Sequence, residues 1–178
     1  MLLERMQRAA MLDTKVYAEV EGDQGANAQA AQVVLLGAFA TGFGTLISSI
    51  MSGRGDAGVL GFLVGFGAAM LAWVVWSWIT YFIGTRAFGG TATPDEMLRV
   101  LGFANAPQVL SILDFIPFFG GLVHLIVSIW LIATGLVAVR TALDFDTGRA
   151  IATMILGWFA MVLIRAISYG ILHTMGLS

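Results

Sequence analysis

Five residues are polar where the chain around them is apolar: Asn105, Gln108, Asp114, His124 and Arg165. A carboxylate and a guanidinium can neutralise one another, an imidazole can carry a proton or ligate iron, and two carboxamides can bond to open backbone. Within a bilayer such groups are costly unless paired or hydrated, so they mark either solute and ion paths or structural bonds. Which chemistry applies depends on the elements that hold them, and those are read from composition and hydropathy.

The chain has 178 residues, 58% of them hydrophobic and 11% charged, whereas soluble domains average about a quarter charged. Mean hydropathy is +0.88. Too few polar residues remain to cover a water-soluble globule, so the bilayer must cover the apolar surface. There is no cysteine, which excludes disulfides, thiolate catalysis and cysteine-ligated metals. A net charge of -2 gives no basic surface for nucleic acid. Glu4, Arg5, Gln7 and Arg8 interrupt the N-terminal segment, so it lacks the apolar centre of a cleaved secretory signal.

Residues 1–27 read as a cytoplasmic segment. Leu3, Met6, Ala10, Tyr17 and Val20 share a helical face opposite Arg5, Arg8, Lys15 and Glu19. The pattern predicts an amphipathic helix over residues 2–20 lying on the bilayer surface, with docking on the protein's own cytoplasmic face as the alternative, followed by a linker from Gly22 to Asn27. Residues 28–178 then form a membrane domain with apolar runs at 28–52, 58–85, 97–115, 122–143 and 150–177. The expected fold is an all-α integral membrane protein with five transmembrane helices. Arg5, Arg8, Lys15, Arg86, Arg99, Arg140 and Arg149 fall on one side of these spans and only Arg54 on the other. Positive loops stay in the cytoplasm, which predicts a cytoplasmic N-terminus and an external C-terminus in a bacterial inner membrane.

Small residues recur at Gly37, Thr41, Thr45, Ser48 and Ser52 in the first run, and at Gly58, Gly61, Gly65 and Ala69 in the second. Such stripes allow close helix approach in lipid, so Gly37, Thr41, Gly61 and Gly65 are expected packing positions. Trp73, Trp76, Trp78 and Tyr81 divide between interface anchors and packing.

In the third run, Pro107 lacks an amide hydrogen and clashes with the preceding turn, so a helix through it kinks and frees backbone groups. Asn105 and Gln108 are placed to bridge those groups. At about 1.5 Å per residue, Asp114 lies about 27 Å from Glu96, and Arg165 about 24 Å from Arg149. Their levels match, which predicts an Asp114–Arg165 pair that His124 could join; otherwise Arg165 snorkels outward and Asp114 caps the external turn. His124 and His173 have no companion ligands at a fixed spacing, so they are expected as hydrogen-bonded histidines, with no cofactor and no metal.

The stretch "RVLGFANAPQVL" carries a resemblance. Leu101-Gly102-Phe103 ahead of Pro107 is similar to the Leu-Gly-Tyr that precedes a membrane proline in the Yip family, with Phe103 in the tyrosine's place. Ile116-Pro117, Gly121, Trp130, the Gly135-Leu136 before Arg140, and Gly148-Arg149-Ala150-Ile151 resemble the pattern of that family's short bacterial branch. The resemblance runs from about residue 28 to the end and implies five spans with a cytoplasmic N-terminus. The eukaryotic Asp-Leu-Tyr-Gly-Pro signature is missing, so binding of a Rab-type GTPase is not implied.

No Ser/His/Asp set, HExxH or phosphate-binding glycine loop is present, and the expectation is a protein that is not an enzyme. Two functions remain. One is a membrane scaffold or accessory subunit that binds partner transmembrane helices, or a further copy of itself, or organises the bilayer. The other is a small-solute channel or permease around Pro107. Five spans cannot be split into the matched halves of an inverted-repeat transporter, which favours the scaffold.

Overall fold

The computed structural model describes residues 1–53, 55–116 and 118–174, and for 55–57, 165 and 168–174 the backbone only. The described residues form α1 (Leu2–Ala10), α2 (Thr14–Gly22), α3 (Ala26–Met51), α4 (Gly55–Phe88), α5 (Pro94–Ala104), a 3₁₀ helix (Ala106–Phe115), α6 (Gly120–Ala142) and α7 (Thr147–Thr174). Four of these, α3, α4, α6 and α7, are long and apolar enough to cross a membrane.

The single helix expected over residues 2–20 is two helices. The Asp13 side chain accepts from the Lys15 amide at 2.9 Å and starts α2, while Leu12, at φ 63°, reverses the chain before it. Most of its apolar face meets the protein, although Leu3 is exposed. Met6, Ala9, Val16, Tyr17 and Val20 are buried in the core, and the Tyr17 hydroxyl donates to the Ala9 carbonyl at 3.0 Å. Of the two placements the pattern allowed, this is docking on the protein's own surface.

The third apolar run is not one kinked helix. It begins with a capping box at α5, where Thr93 Oγ1 accepts from the Glu96 amide at 3.3 Å and Glu96 Oε2 accepts from the Thr93 amide at 2.7 Å, with Pro94 as the first helical residue. It ends by changing helix type at Asn105. Pro107 cannot donate to the carbonyl four residues back, and from Ala106 the chain continues with i→i+3 bonds. The change also adds length. Eleven α residues rise about 16 Å and ten 3₁₀ residues about 20 Å, which brings this short segment close to the reach of α3.

The segment runs beside α3. A Cβ on Gly102 would meet Ala30 Cβ at 2.6 Å, one on Gly37 would meet Gln108 Cβ at 2.8 Å, and one on Gly44 would meet the Ser111 carbonyl at 3.1 Å. The buried face of α3 is Ala26, Ala30, Val33, Val34, Gly37, Ala40 and Gly44, and apart from Val34 the spacing alternates between four and three. That is the spacing of a helix–helix seam, here made of small side chains so that backbones approach. The expected stripe Thr41, Thr45, Ser48, Ser52 lies beside this seam.

Candidate functional site

The break at Asn105 opens the regular backbone ladder, and side chains take up groups that it frees. The Asn105 amide turns to the Gly102 carbonyl at 3.2 Å, and the Asn105 side chain substitutes for it by donating Nδ2 to the Leu101 carbonyl at 2.7 Å. The Gln108 amide goes to the Asn105 carbonyl at 2.9 Å, which leaves the Ala104 carbonyl to Thr134 Oγ1 of α6 at 2.7 Å. Gln108 Nε2 donates to Thr41 Oγ1 at 2.9 Å, and Thr41 in turn donates to the Gly37 carbonyl at 3.1 Å. Asn105 and Gln108 both sit at the break, one bonding within the segment and the other tying it to α3. Thr134 was not foreseen. A threonine in an apolar helix usually bonds back to its own turn, and nothing local distinguishes this one.

Two clefts meet at this junction. One, of about 580 Å3, lies between α3, α4 and α7 and reaches Thr41, Gly61, Gly65 and Gln108. The other, of about 600 Å3, lies against α6 and reaches Leu131, Gly135 and Phe159. Trp76, Asn105 and Trp158 line both. A Cβ added to Gly61 or Gly65 meets nothing within 4 Å, so these two glycines face the cleft and not a neighbouring helix of the chain. Gly37, by contrast, is closed over by Gln108.

At the far end of the segment, Asp114 Oδ2 lies 3.6 Å from His124 Nδ1, while Asp114 Oδ1 is buried without a partner among the described residues. His124 is 74% exposed. The pairing expected for Arg165 falls outside the described side chains, as do His173 and Pro117. Of the motif residues, Gly102 packs on Ala30, Phe103 and Pro107 are buried, and Trp130 Nε1 donates to the Ala10 carbonyl at 2.7 Å. Arg140 Nη1 reaches Thr147 Oγ1 at 3.5 Å, across the turn to α7, and Gly121 is exposed with open space beside it. Trp73 Nε1 donates to the Leu98 carbonyl at 3.1 Å, Trp76 packs over Gly157, and Trp78 is exposed against the edge of Tyr81.

Arg99 is the second residue that sequence reasoning passed over, counting it only as a topological charge. It is 4% exposed. Its Nε donates to the Val20 carbonyl at 3.0 Å and the Glu21 carbonyl at 3.1 Å, Nη2 also reaches Glu21, and Nη1 donates to Asn27 Oδ1 at 3.2 Å. One guanidinium thus satisfies carbonyls at the end of α2 and fixes that helix to α3 and α5. The outer side of the N-terminal pair is an ion network: Arg5 with Glu19 at 2.8 Å and Asp23 at 2.9 Å, and Arg8 with Asp13 and Glu19, each at 2.9 Å.

Long apolar helices surrounding a segment whose backbone is completed by side chains define a multi-pass membrane protein. The family model of the Yip1 domain matches residues 14–176, and the chain belongs to the Yip family. No curated protein and no solved structure matches it.

Proposed function

We propose that the protein is a non-enzymatic scaffold or accessory subunit whose α4 face receives a partner transmembrane helix, from another membrane protein or a second copy of this chain. The observation that carries the reading is the imbalance among spans. In the most apolar window of α4 6% of the residues are buried, against 33% in α3. Van der Waals packing and not hydrophobicity drives helix association in lipid, so a long helix left this open by its own chain has its packing surface still to satisfy. The sequence features behind orientation extend the reading: α5 and the 3₁₀ helix make a fifth crossing between α4 and α6, with the N-terminus in the cytoplasm and the C-terminus outside a bacterial inner membrane.

The permease reading is supported by one observation, that Asn105 and Gln108 line a cavity. Both amides also hold protein groups, which suits a structural role. Purification in mild detergent followed by intact-complex mass measurement tests the proposal. A stoichiometric companion or a dimer is expected. A monomer without companions that passes small solutes in liposomes, and loses that flux with Asn105→Leu and Gln108→Leu, would overturn it.

A further inference from the structure

The bonds at the α5–3₁₀ junction fix how both carboxamides are oriented. A backbone carbonyl can only accept, so the nitrogen of Asn105 must face Leu101; the Thr41 hydroxyl hydrogen is committed to Gly37, so the nitrogen of Gln108 must face Thr41. The opposite ends, Asn105 Oδ1 and Gln108 Oε1, accept no hydrogen bond among the described residues. Neither is one of the buried atoms without a partner, which are Ser77 Oγ and Asp114 Oδ1. Both oxygens therefore reach a surface, and the surface their residues share is the cleft between α3, α4 and α7.

The depth of that surface matters. Asn105 is level with Gly37, fourteen residues or about 21 Å along α3 from Met51, so its oxygen lies inside the roughly 30 Å of hydrocarbon. Water is scarce there, and an acceptor without a donor is unfavourable. The remaining walls are Gly61, Gly65, Trp76 and Trp158, with nothing filling the space above the two glycines. The cleft therefore has two carboxamide residues in its lining, each with an unused acceptor, and a smooth apolar trough beside them.

We propose that this cleft binds a membrane-dissolved alcohol, an amphiphile with a small hydroxyl head and a long apolar chain. The hydroxyl donates to the carboxamide oxygen of Asn105 or Gln108, and the chain lies along Gly61 and Gly65 of α4. A ligand without a donor would occupy the trough but leave the oxygens unmatched, which gives the site its chemical preference.

A long-chain alcohol brominated in its chain, compared with its methyl ether, tests this in protein reconstituted into nanodiscs, because bromine quenches the tryptophans that line the cleft. The alcohol is expected to half-quench at about a 3- to 10-fold lower concentration than the ether, the effect of one hydrogen bond. Gly65→Leu should fill the trough and erase that difference without lowering the melting temperature; Gly61→Leu serves as a second filling variant if the first does not fold. Equal quenching by alcohol and ether in the unaltered protein, or an advantage for the alcohol that survives either filled cleft, would overturn the proposal.

Discussion

The end of the bundle where α1 and α2 dock and the end formed by the α3–α4 turn are built by different rules. The docked end has one closed core, with Val16, Tyr17 and Val20 from α2, Ala30 and Val33 from α3, Met97, Val100 and Phe103 from α5, Ala138 and Val139 from α6, and Ala150 from α7, and with Tyr81 and Phe88 of α4 packed against it. From Val59 to Trp76 of α4, no described residue is buried, and Leu122, Leu125, Ile126 and Ile129 of α6 are exposed. The first end is packed as water-soluble proteins are, with Arg99, Tyr17 and Thr134 each bonded to a carbonyl. The second end leaves its apolar surface to the bilayer and to whatever lies in it. Single changes in the closed core should destabilise strongly, whereas the open face of α4 around Gly61 and Gly65 should accept added volume.

Arg99→Met tests the contrast most severely. It keeps an apolar stem but leaves two carbonyls of α2 and Asn27 without their donor, and the expected cost is about 3 kcal/mol. Cleavage by trypsin after Arg8 and Lys15 should accelerate while the spans stay intact; unchanged protection of these sites would show that the closed core does not depend on this guanidinium. Next in size is Gly102→Val. Its Cβ would lie 2.6 Å from Ala30 Cβ and 3.1 Å from the Ala30 carbonyl, with backbone behind it, and the expected loss is roughly 2 kcal/mol. Gly61→Leu at the open end should change thermal stability by no more than about 0.5 kcal/mol. Equal effects from the two glycines would remove the distinction between the ends. Thr134→Val keeps shape and removes the hydroxyl that completes Ala104, and should cost about 1 kcal/mol in detergent unfolding.

What was legible in the sequence follows the same division. The long runs declared themselves because lipid tolerates almost no charge, and the break at Asn105 was signalled because proline cannot donate. The extent of the 3₁₀ helix was not visible, since a proline marks where the α ladder breaks and not how many residues follow it with i→i+3 bonds. The α3 seam was seen only at Gly37 for a related reason: the Gly-Thr-Thr-Ser-Ser stripe is conspicuous, whereas the alternation of four and three through Ala26, Ala30, Val33, Gly37, Ala40 and Gly44 includes alanines and a valine that nothing local marks out. Arg99 looked like a loop charge because the sequence cannot show that three oxygen acceptors converge on it from residues more than seventy positions away.

The smallest expected effect concerns acidity, and it separates the two kinds of charge at the docked end. Glu21 is held above the usual carboxylate range by burial and then by Glu96 and Asp144, with Arg99 opposing. Its ionised form therefore weakens docking, and that cost is relieved as the pH falls through the raised value, above the ordinary 4.5. Glu19 is lowered by its bonds to Arg5 and Arg8, Asp23 by Arg5, and Asp13 by Arg8. Their support is complete above the ordinary values, 4.5 for Glu19 and 3.8 for the two aspartates, and is lost as the pH falls through the depressed ones. Docking should thus strengthen slightly on mild acidification and then fail at lower pH. Because the chain has no cysteine, a nitroxide on Met11→Cys is a single label, and it quenches Trp130 when the Ala10 carbonyl is seated there. Quenching should rise and then fall along the titration. Glu21→Gln should remove the rise and keep the fall, because the surface ion pairs do not depend on Glu21; loss of both limbs in that variant would mean that the buried and exposed charges act as one network.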